Sequence, residues 1–460
     1  MKTYQDYLKA VENNGITQFV GKVIEEHKQS KPYKTALIAD EYDAERNTTI
    51  NDFVKVLFAA DGTKLKDETA SNLKLTSNFF NILNTQRCSY SLGNGVSFQK
   101  NGIKEKLGKK ADDDIYEAAY YALIHGVSFL YWAYDHIHTF KLTEFAPLID
   151  ETTSGLGAGV RFWQLDADKP LNAFLYTPDG YIEYMSETGT ISELKPKTND
   201  FVPYRTTVQT TPAVGGDVVT AHNYAGLPII PMYGSRLHQS TLIGMRSKID
   251  AFDSVQSGFA NDMTDCAQIY WIVSGAGGMT EKDLSKFRER LLYRHIASAP
   301  NADEAKIDPY TQEIPFTARE ALLSRLKSQI YYDFGIVDTS NISASSKTAT
   351  EINAAYQTMD DKAADFEKNV SSAIRDLLVL QGVSEEDADP QFIRKKVANE
   401  LEQVQMVMLE AQYLDEETVL NKLPNIMPEE VEKILKKKAE DDIERFSGRD
   451  ENESAGTEEE

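Results

Sequence analysis

The chain has 460 residues, of which 41% are apolar and 10% aromatic, with a formal net charge of −23. That length allows two or three domains with a buried core, and the aromatic content argues against disorder. The charge excludes wrapping of nucleic acid by phosphate neutralisation, which needs Lys and Arg, and the two distant cysteines, Cys88 and Cys266, exclude a disulfide framework and fit a reducing compartment.

In chain order, the opening MKTYQDYLKAVENNG has no signal-type apolar core. No apolar run approaches the about 20 residues that span a bilayer, so no membrane partner is expected. The first 150 residues read as mostly helical. Asp67 to Leu92 places Leu73, Leu75, Phe79, Phe80, Ile82 and Leu83 on an amphipathic helix stopped by Gly93-Asn94-Gly95. Asp112-Asp113-Asp114 opens a second helix, because carboxylates favour the positive end of a helix dipole. It runs through Ile115, Ala118, Ala119, Ala122 and Leu123, then passes Gly126 into Phe129–Tyr134. Val160–Leu165, Phe174–Tyr176 and Tyr181–Met185, split by Pro178-Asp179-Gly180, predict an antiparallel meander. The 23 tyrosines suit surfaces that become interfaces.

A short strand, Pro228–Tyr233, precedes a long helix over Ser240–Ala267. Leu242, Met245, Ile249, Phe252, Val255, Phe259 and Met263 draw one narrow apolar stripe along it, and the rest of its surface is small or acidic. Such a helix fits between other helices, including those of neighbouring copies. Residues 268–315 form a compact excursion with a strand at Gln268–Ser274, a glycine turn and a helix start at Thr280. A capping box at Thr317 begins the next helix, which stops at Gly335. Residues 337–347 are polar and Ser-rich, and Thr348-Ala349-Thr350-Glu351 starts a helix through Ile374 and Leu377. Short helices follow at Asp389–Leu414, Asp415–Lys422 and Pro428–Arg445, and residues 440–460 hold ten carboxylates against Arg445 and Arg449, a solvated and disordered end. The fold class expected is α+β, mainly α-helical.

No enzyme chemistry stands out. Gly102–Lys110 has five residues between its glycines and lacks the magnesium-binding hydroxyl, so it fails as a nucleotide loop. Gly275-Ala276-Gly277-Gly278 lacks full phosphate-loop spacing. His136 and His138 share a strand face without the carboxylate or thiolate partners of a metal site. Asp250 and Asp253 form a carboxylate pair of the kind chance supplies in a chain with 72 acidic residues. No cofactor, metal or catalytic residue is expected. The competing readings are a soluble acidic hydrolase using paired carboxylates and a structural adaptor protein.

The segment Asn223–Met279, the order helix, excursion, helix, polar loop, long helix from 240 to 380, and Asn78–Phe98 (NFFNILNTQRCSYSLGNGVSF) together resemble the portal, or head-to-tail connector, proteins of tailed bacteriophages. The resemblance implies a portal fold: a wing at 1–235, a first stem helix at 236–267, a clip at 268–315, a second stem helix at 316–336, a tunnel loop at 337–347, a long wing helix at 348–383, a helical crown at 384–447 and an acidic tail at 448–460. It implies a homo-oligomeric ring, usually of twelve copies, at one capsid vertex of the virion, assembled in the host cytoplasm. Double-stranded DNA would pass through it for packaging, retention and ejection. The terminase motor, a tail adaptor, and capsid and scaffolding proteins would be its partners. Thr339, Ser340, Asn341, Ile342, Ser343, Ala344, Ser345, Ser346 and Lys347 would face DNA from the tunnel loop. Asp250, Asp253, Asp262 and Asp265 would line the stem wall. Tyr270, Trp271, Gly277, Gly278, Arg288 and Arg290 would belong to the docking clip.

Overall fold

A computed structural model describes residues 2–58, 63–66, 71–198, 200–211, 216–266, 270–274, 280, 282, 286, 306–310, 315–338, 349–394, 404, 407–423, 426 and 430–440. Helices outweigh strands in an α+β fold. Two compact units share the chain: Met1–Arg46, Asn78–Arg246 and Tyr331–Glu460 form the first, Asn47–Ser77 and Ser247–Ile330 the second.

Three helices open the chain, α1 (Tyr4–Glu12), α2 (Ile16–Gln29) and α3 (Lys31–Asp43). The Thr3 hydroxyl and Asp6 carboxylate form a capping box on α1, and Ser30 caps α3 ahead of Pro32. A short α4 (Thr48–Asn51) and the antiparallel strands β1 (Val56–Phe58) and β2 (Lys64–Lys66) belong to the second unit. The first unit resumes with α5 (Phe79–Leu92), β3 (Val96–Ser97) and α6 (Ala111–His125). Alanines 118, 119 and 122 of α6 are wholly enclosed, and their small side chains let neighbouring elements approach closely.

Gly126 ends α6 in the left-handed region at φ 92°, and a Cβ there would lie 2.6 Å from the Gln239 backbone. Gly126→Ala is therefore expected to destabilise the protein by about 3 kcal/mol or more, the sum of backbone strain and overpacking. A lowered urea midpoint measures this, and an unchanged midpoint refutes it.

Beyond Gly126, β4 (Val127–Trp132) pairs on one side with β5 (Ile137–Lys141) and on the other with β13 (Ile229–Tyr233), in register Ile229↔Tyr131. The meander β6 (Phe145–Ile149), β7 (Leu156–Trp163), β8 (Leu171–Thr177), β9 (Gly180–Ser186) and β10 (Lys195–Pro196) forms one antiparallel sheet in chain order. Its inward residues alternate, as Ile182 and Tyr184 do on β9, and α2 covers them with Phe19, Val20, Val23 and Ile24. A separate hairpin pairs β11 (Arg205–Thr211) with β12 (Gly216–His222).

The remaining elements are α7 (Arg246–Cys266), the pair β14 (Tyr270–Ser274) and β15 (Lys306–Tyr310), α8 (Phe316–Phe334), α9 (Ala349–Leu380), β16 (Gln391–Phe392) and α10 (Glu416–Lys422). Phe366, Val370, Ile374 and Leu377 of α9 join α5, α6, β4 and β13 in the main core. A second core between the strands is aromatic. Phe129, Phe140, Phe145 and Tyr176 interlock there, with the Arg161 guanidinium 4.4 Å from the Phe140 ring centre and 4.8 Å from that of Trp163. Burial pushes the Tyr131 phenol up to about 12. The Tyr204 hydroxyl donates to Thr177 O at 2.7 Å. Tyr131, Tyr176 and Tyr204 therefore serve the interior of the first unit.

Three sequence expectations change. Residues 71–78 are not helical, and α5 starts at Phe79. The long helix starts at Arg246 instead of Ser240, because Gly244 adopts φ 88°. Residues 389–394 do not open a helix: Gln391 and Phe392 pair with Ser97 and Val96.

Candidate functional site

Two stripes run along α7. Asp253, Ser257 and Asn261, spaced by four, share one face as surely as the apolar residues do. The structure buries the polar stripe. Asp253, Ser257 and Asn261 are 0%, 2% and 4% exposed, whereas Phe252, Val255 and Phe259 are half-buried and Met263 is 55% exposed.

What covers the polar stripe is the backbone of residues 71–77, running antiparallel to the helix as a strap. Leu73 N–H donates to Asn261 Oδ1 at 2.6 Å, and its carbonyl accepts from Asn261 Nδ2 at 3.2 Å. Leu75 N–H donates to Ser257 Oγ at 2.9 Å, and its carbonyl accepts from the same hydroxyl at 3.3 Å. Ser77 N–H donates to Asp253 Oδ1 at 2.9 Å. Asn47 Nδ2 donates to the other Asp253 oxygen at 2.5 Å and to Ser77 O at 3.0 Å. Four helical residues advance about 6.0 Å and two extended residues about 6.6 Å, so three rungs stay in step. Burial raises the Asp253 carboxyl above its ordinary value of 3.8, while the donors from Ser77 and Asn47 oppose the shift.

Within the same unit α7 and α8 are tied near Phe259. The Arg319 guanidinium meets Asp262 at 2.5 Å and lies 5.9 Å from the Phe259 ring centre, and Phe259 packs edge-on against Phe316 at 5.3 Å. Beyond that tie, α8 has almost no core. From Phe316 to Gln329 no described side chain is fully buried, with Phe316 55% and Leu322 44% exposed.

The last turn of α8 belongs to the first unit. There the buried Arg87 guanidinium stacks 4.3 Å from the Phe334 ring centre and donates to the Phe334 carbonyl, one of the helix's terminal acceptors. Burial pushes Arg87 down to about 10, against the pull of Asp365. On α9, Asp360 accepts from the Tyr90 hydroxyl at 2.6 Å and from Arg394 Nη1 at 2.8 Å, while Arg394 also grips both Glu367 oxygens at 2.9 and 2.8 Å.

Of the expected wall residues, Asp250 accepts from Thr49 Oγ1 at 2.8 Å, and Asp262 is paired with Arg319. Asp253 is corrected from wall residue to ladder acceptor, since it is fully enclosed by the strap. Asp265 lies on α7, its side chain outside the described residues. Of the clip residues, Tyr270 and Trp271 lie on β14 opposite Tyr310 and Pro309. Gly277, Gly278, Arg288 and Arg290 fall outside the described residues, as do all the tunnel-loop residues Thr339–Lys347. His136 pairs with Asp135 at 2.7 Å, and among the described residues no cluster of three metal-ligating side chains occurs. No described helix is long and apolar enough to cross a membrane.

Among the described residues, the arrangement joins helices to each other and to the extended strap. Sequence reasoning missed Asn47, Ser257, Asn261, Arg87, Arg319 and Arg394. The four-residue spacing of Asp253, Ser257 and Asn261 was the available signal for the ladder.

The second unit holds a long helix pair with few buried side chains among the described residues, and the first is a mixed helix-and-sheet unit. Residues 21–444 match the family described as phage portal protein, SPP1 Gp6-like, and the chain belongs to that family. The portal protein of Clostridium phage phiCD119 is 29% identical over 195 residues, 40% of this chain and 42% of that one. The portal protein of Bacillus phage SPP1 is 21% identical over 423 residues, covering 85% of this chain and 80% of its own.

Proposed function

We propose that copies of this chain assemble into a ring, of twelve subunits in the virion, that forms a DNA channel at one capsid vertex. Double-stranded DNA passes through it during packaging, is retained, and leaves by it at ejection. The observation that carries this reading is the bare stem: α8 has no fully buried side chain from Phe316 to Gln329, and the apolar stripe of α7 is half-open. Such helices are stabilised by neighbours that a single copy does not supply, and a ring supplies one on each side through closing, heterologous contacts.

In this reading residues 1–235 are the wing, 268–315 the clip that docks the terminase motor and later a tail adaptor, and 384–447 the crown. Capsid and scaffolding proteins surround the ring. Asp250, Asp262 and Asp265 give the stem an acidic character that repels phosphates at short range, screened over about 8 Å at physiological salt. The loop 337–347 touches DNA through hydroxyls and Lys347, contacts weak enough to exchange as DNA moves.

Gly258 provides the test. A Cβ placed there meets no atom within 4 Å in the single subunit, and glycine inside a helix costs about 1 kcal/mol relative to alanine. The open space is where a neighbouring helix enters. Gly258→Leu is expected to leave the melting temperature of the dissociated subunit at or above the wild-type value and to abolish rings in negative-stain images and native mass spectra. Rings of normal yield from this variant remove Gly258 from the interface. A wild-type chain that stays monomeric at high concentration counts against the ring itself.

A further inference from the structure

The strap has two edges, and the ladder uses only one. Leu73, Leu75 and Ser77 turn their backbone groups to α7, so in an extended segment Asn72, Lys74 and Thr76 turn theirs the other way. Among the described residues these three make no backbone hydrogen bond, and Asn72 and Thr76 are exposed. Leu73 and Leu75 flank that edge at 49% and 37% exposure. An open edge bordered by large apolar side chains is a template for another strand, and stable proteins cover such edges.

Among the described residues, the outer edge of β1 in the same unit has no partner strand. The run Phe53-Val54-Lys55-Val56-Leu57-Phe58 is rich in the β-branched and aromatic residues that favour strands. Phe53, Val54 and Val56 are 51%, 45% and 44% exposed. Its β1 portion pairs with β2 alone, and an isolated two-stranded hairpin is marginal in water.

We propose that the outer edge of the strap at residues 72–76 receives β1, Val56–Phe58, of a second copy of this chain. Two different edges on one subunit are what a head-to-tail contact requires, because each copy gives one and accepts one until the ring closes. Strand addition supplies the backbone bonds. The β1 side is favoured over β2 because Lys64 and Lys66 of β2 would stand beside Lys74, and like charges across strands destabilise pairing. The uncharged Val56-Leu57-Phe58 instead meets Leu73 and Leu75. This inference rests on the ring reading and names one of its contacts.

Hydrogen exchange on the assembled full-length chain, compared with the dissociated subunit, tests it. In the subunit the amides of Leu73, Leu75 and Ser77 are already protected by the ladder; assembly is expected to add protection at Asn72, Lys74 and Thr76 and along Val56–Phe58. Thr76→Pro removes an outer donor and leaves the inner rungs. It is expected to leave the subunit's melting temperature unchanged and to raise the concentration at which rings dissociate about tenfold, as loss of a backbone hydrogen bond allows. Rings in which residues 72, 74 and 76 exchange as in the subunit, or a Thr76→Pro ring as tight as wild type, overturn the strand pairing and leave the ring reading standing. A chain that never forms rings overturns both.

Discussion

Asp253→Ala is expected to free the strap from α7 and to destabilise the second unit by about 2–4 kcal/mol. Its carboxylate holds the Ser77 N–H and the Asn47 amide in a site with no solvent exposure. Hydrogen bonds to a charged group contribute about 1.5–3 kcal/mol, and truncation leaves the Ser77 N–H buried without an acceptor and the Asn47 amide with Ser77 O alone. Urea unfolding measures the loss, and hydrogen exchange at residues 73–77 locates it. Asp253→Asn is expected to recover part of it, since the amide oxygen still accepts from the Ser77 N–H. The pH dependence has a definite sign. A carboxyl whose pKa is raised on folding binds its proton more tightly in the native state, so it costs stability at neutral pH and that cost fades as pH falls through the native pKa toward 3.8. Wild type should therefore gain on Asp253→Asn as the solution is acidified over that window. A gain in the opposite direction, or an alanine variant as stable as wild type, overturns the ladder's role.

Deleting Ser340–Ser346 is expected to leave ring assembly intact while particles carry only a small fraction of the normal DNA. In the proposed channel the loop acts through its composition: hydroxyls and a single Lys347 in a strongly acidic chain would make weak, exchangeable contacts with phosphate. The helix before it is secured independently, since Arg87 satisfies the Phe334 carbonyl and Gly335 ends α8 at φ 73°. Negative-stain imaging reports the rings, and the nucleic-acid absorbance of purified particles reports the DNA. Rings that fail to form would make the loop structural, and rings that package and hold normal DNA would remove it from the channel's function.

The sequence made some of this architecture legible for physical reasons that also explain the failures. The helix at 111–125 was readable because its acidic start, alanine face and terminal glycine all lie within one local stretch. The meander was readable because alternation and the Pro178-Asp179-Gly180 turn are local as well. The strap was not. Leu73, Leu75, Phe79 and Phe80 have helical spacing, but the partners that hold residues 73–77 extended lie 176–188 positions away on α7. For the same reason Asp253 read as a solvent-facing acid. Periodicity shows that Asp253, Ser257 and Asn261 share a face, and it carries no information about which segment covers that face. Residues 389–394 failed similarly, their strand partner being Val96-Ser97.

The ladder also has a mechanical direction. Its rungs at 253, 257 and 261 are spread along the helix while the strap runs beside them. A pull along the helix axis strains all three rungs together, so the joint is stiff in shear. A pull at right angles strains them one after another, so the joint peels. A subunit built this way transmits axial load between its extended strap and its helix, yet the strap can be lifted from one end at little force.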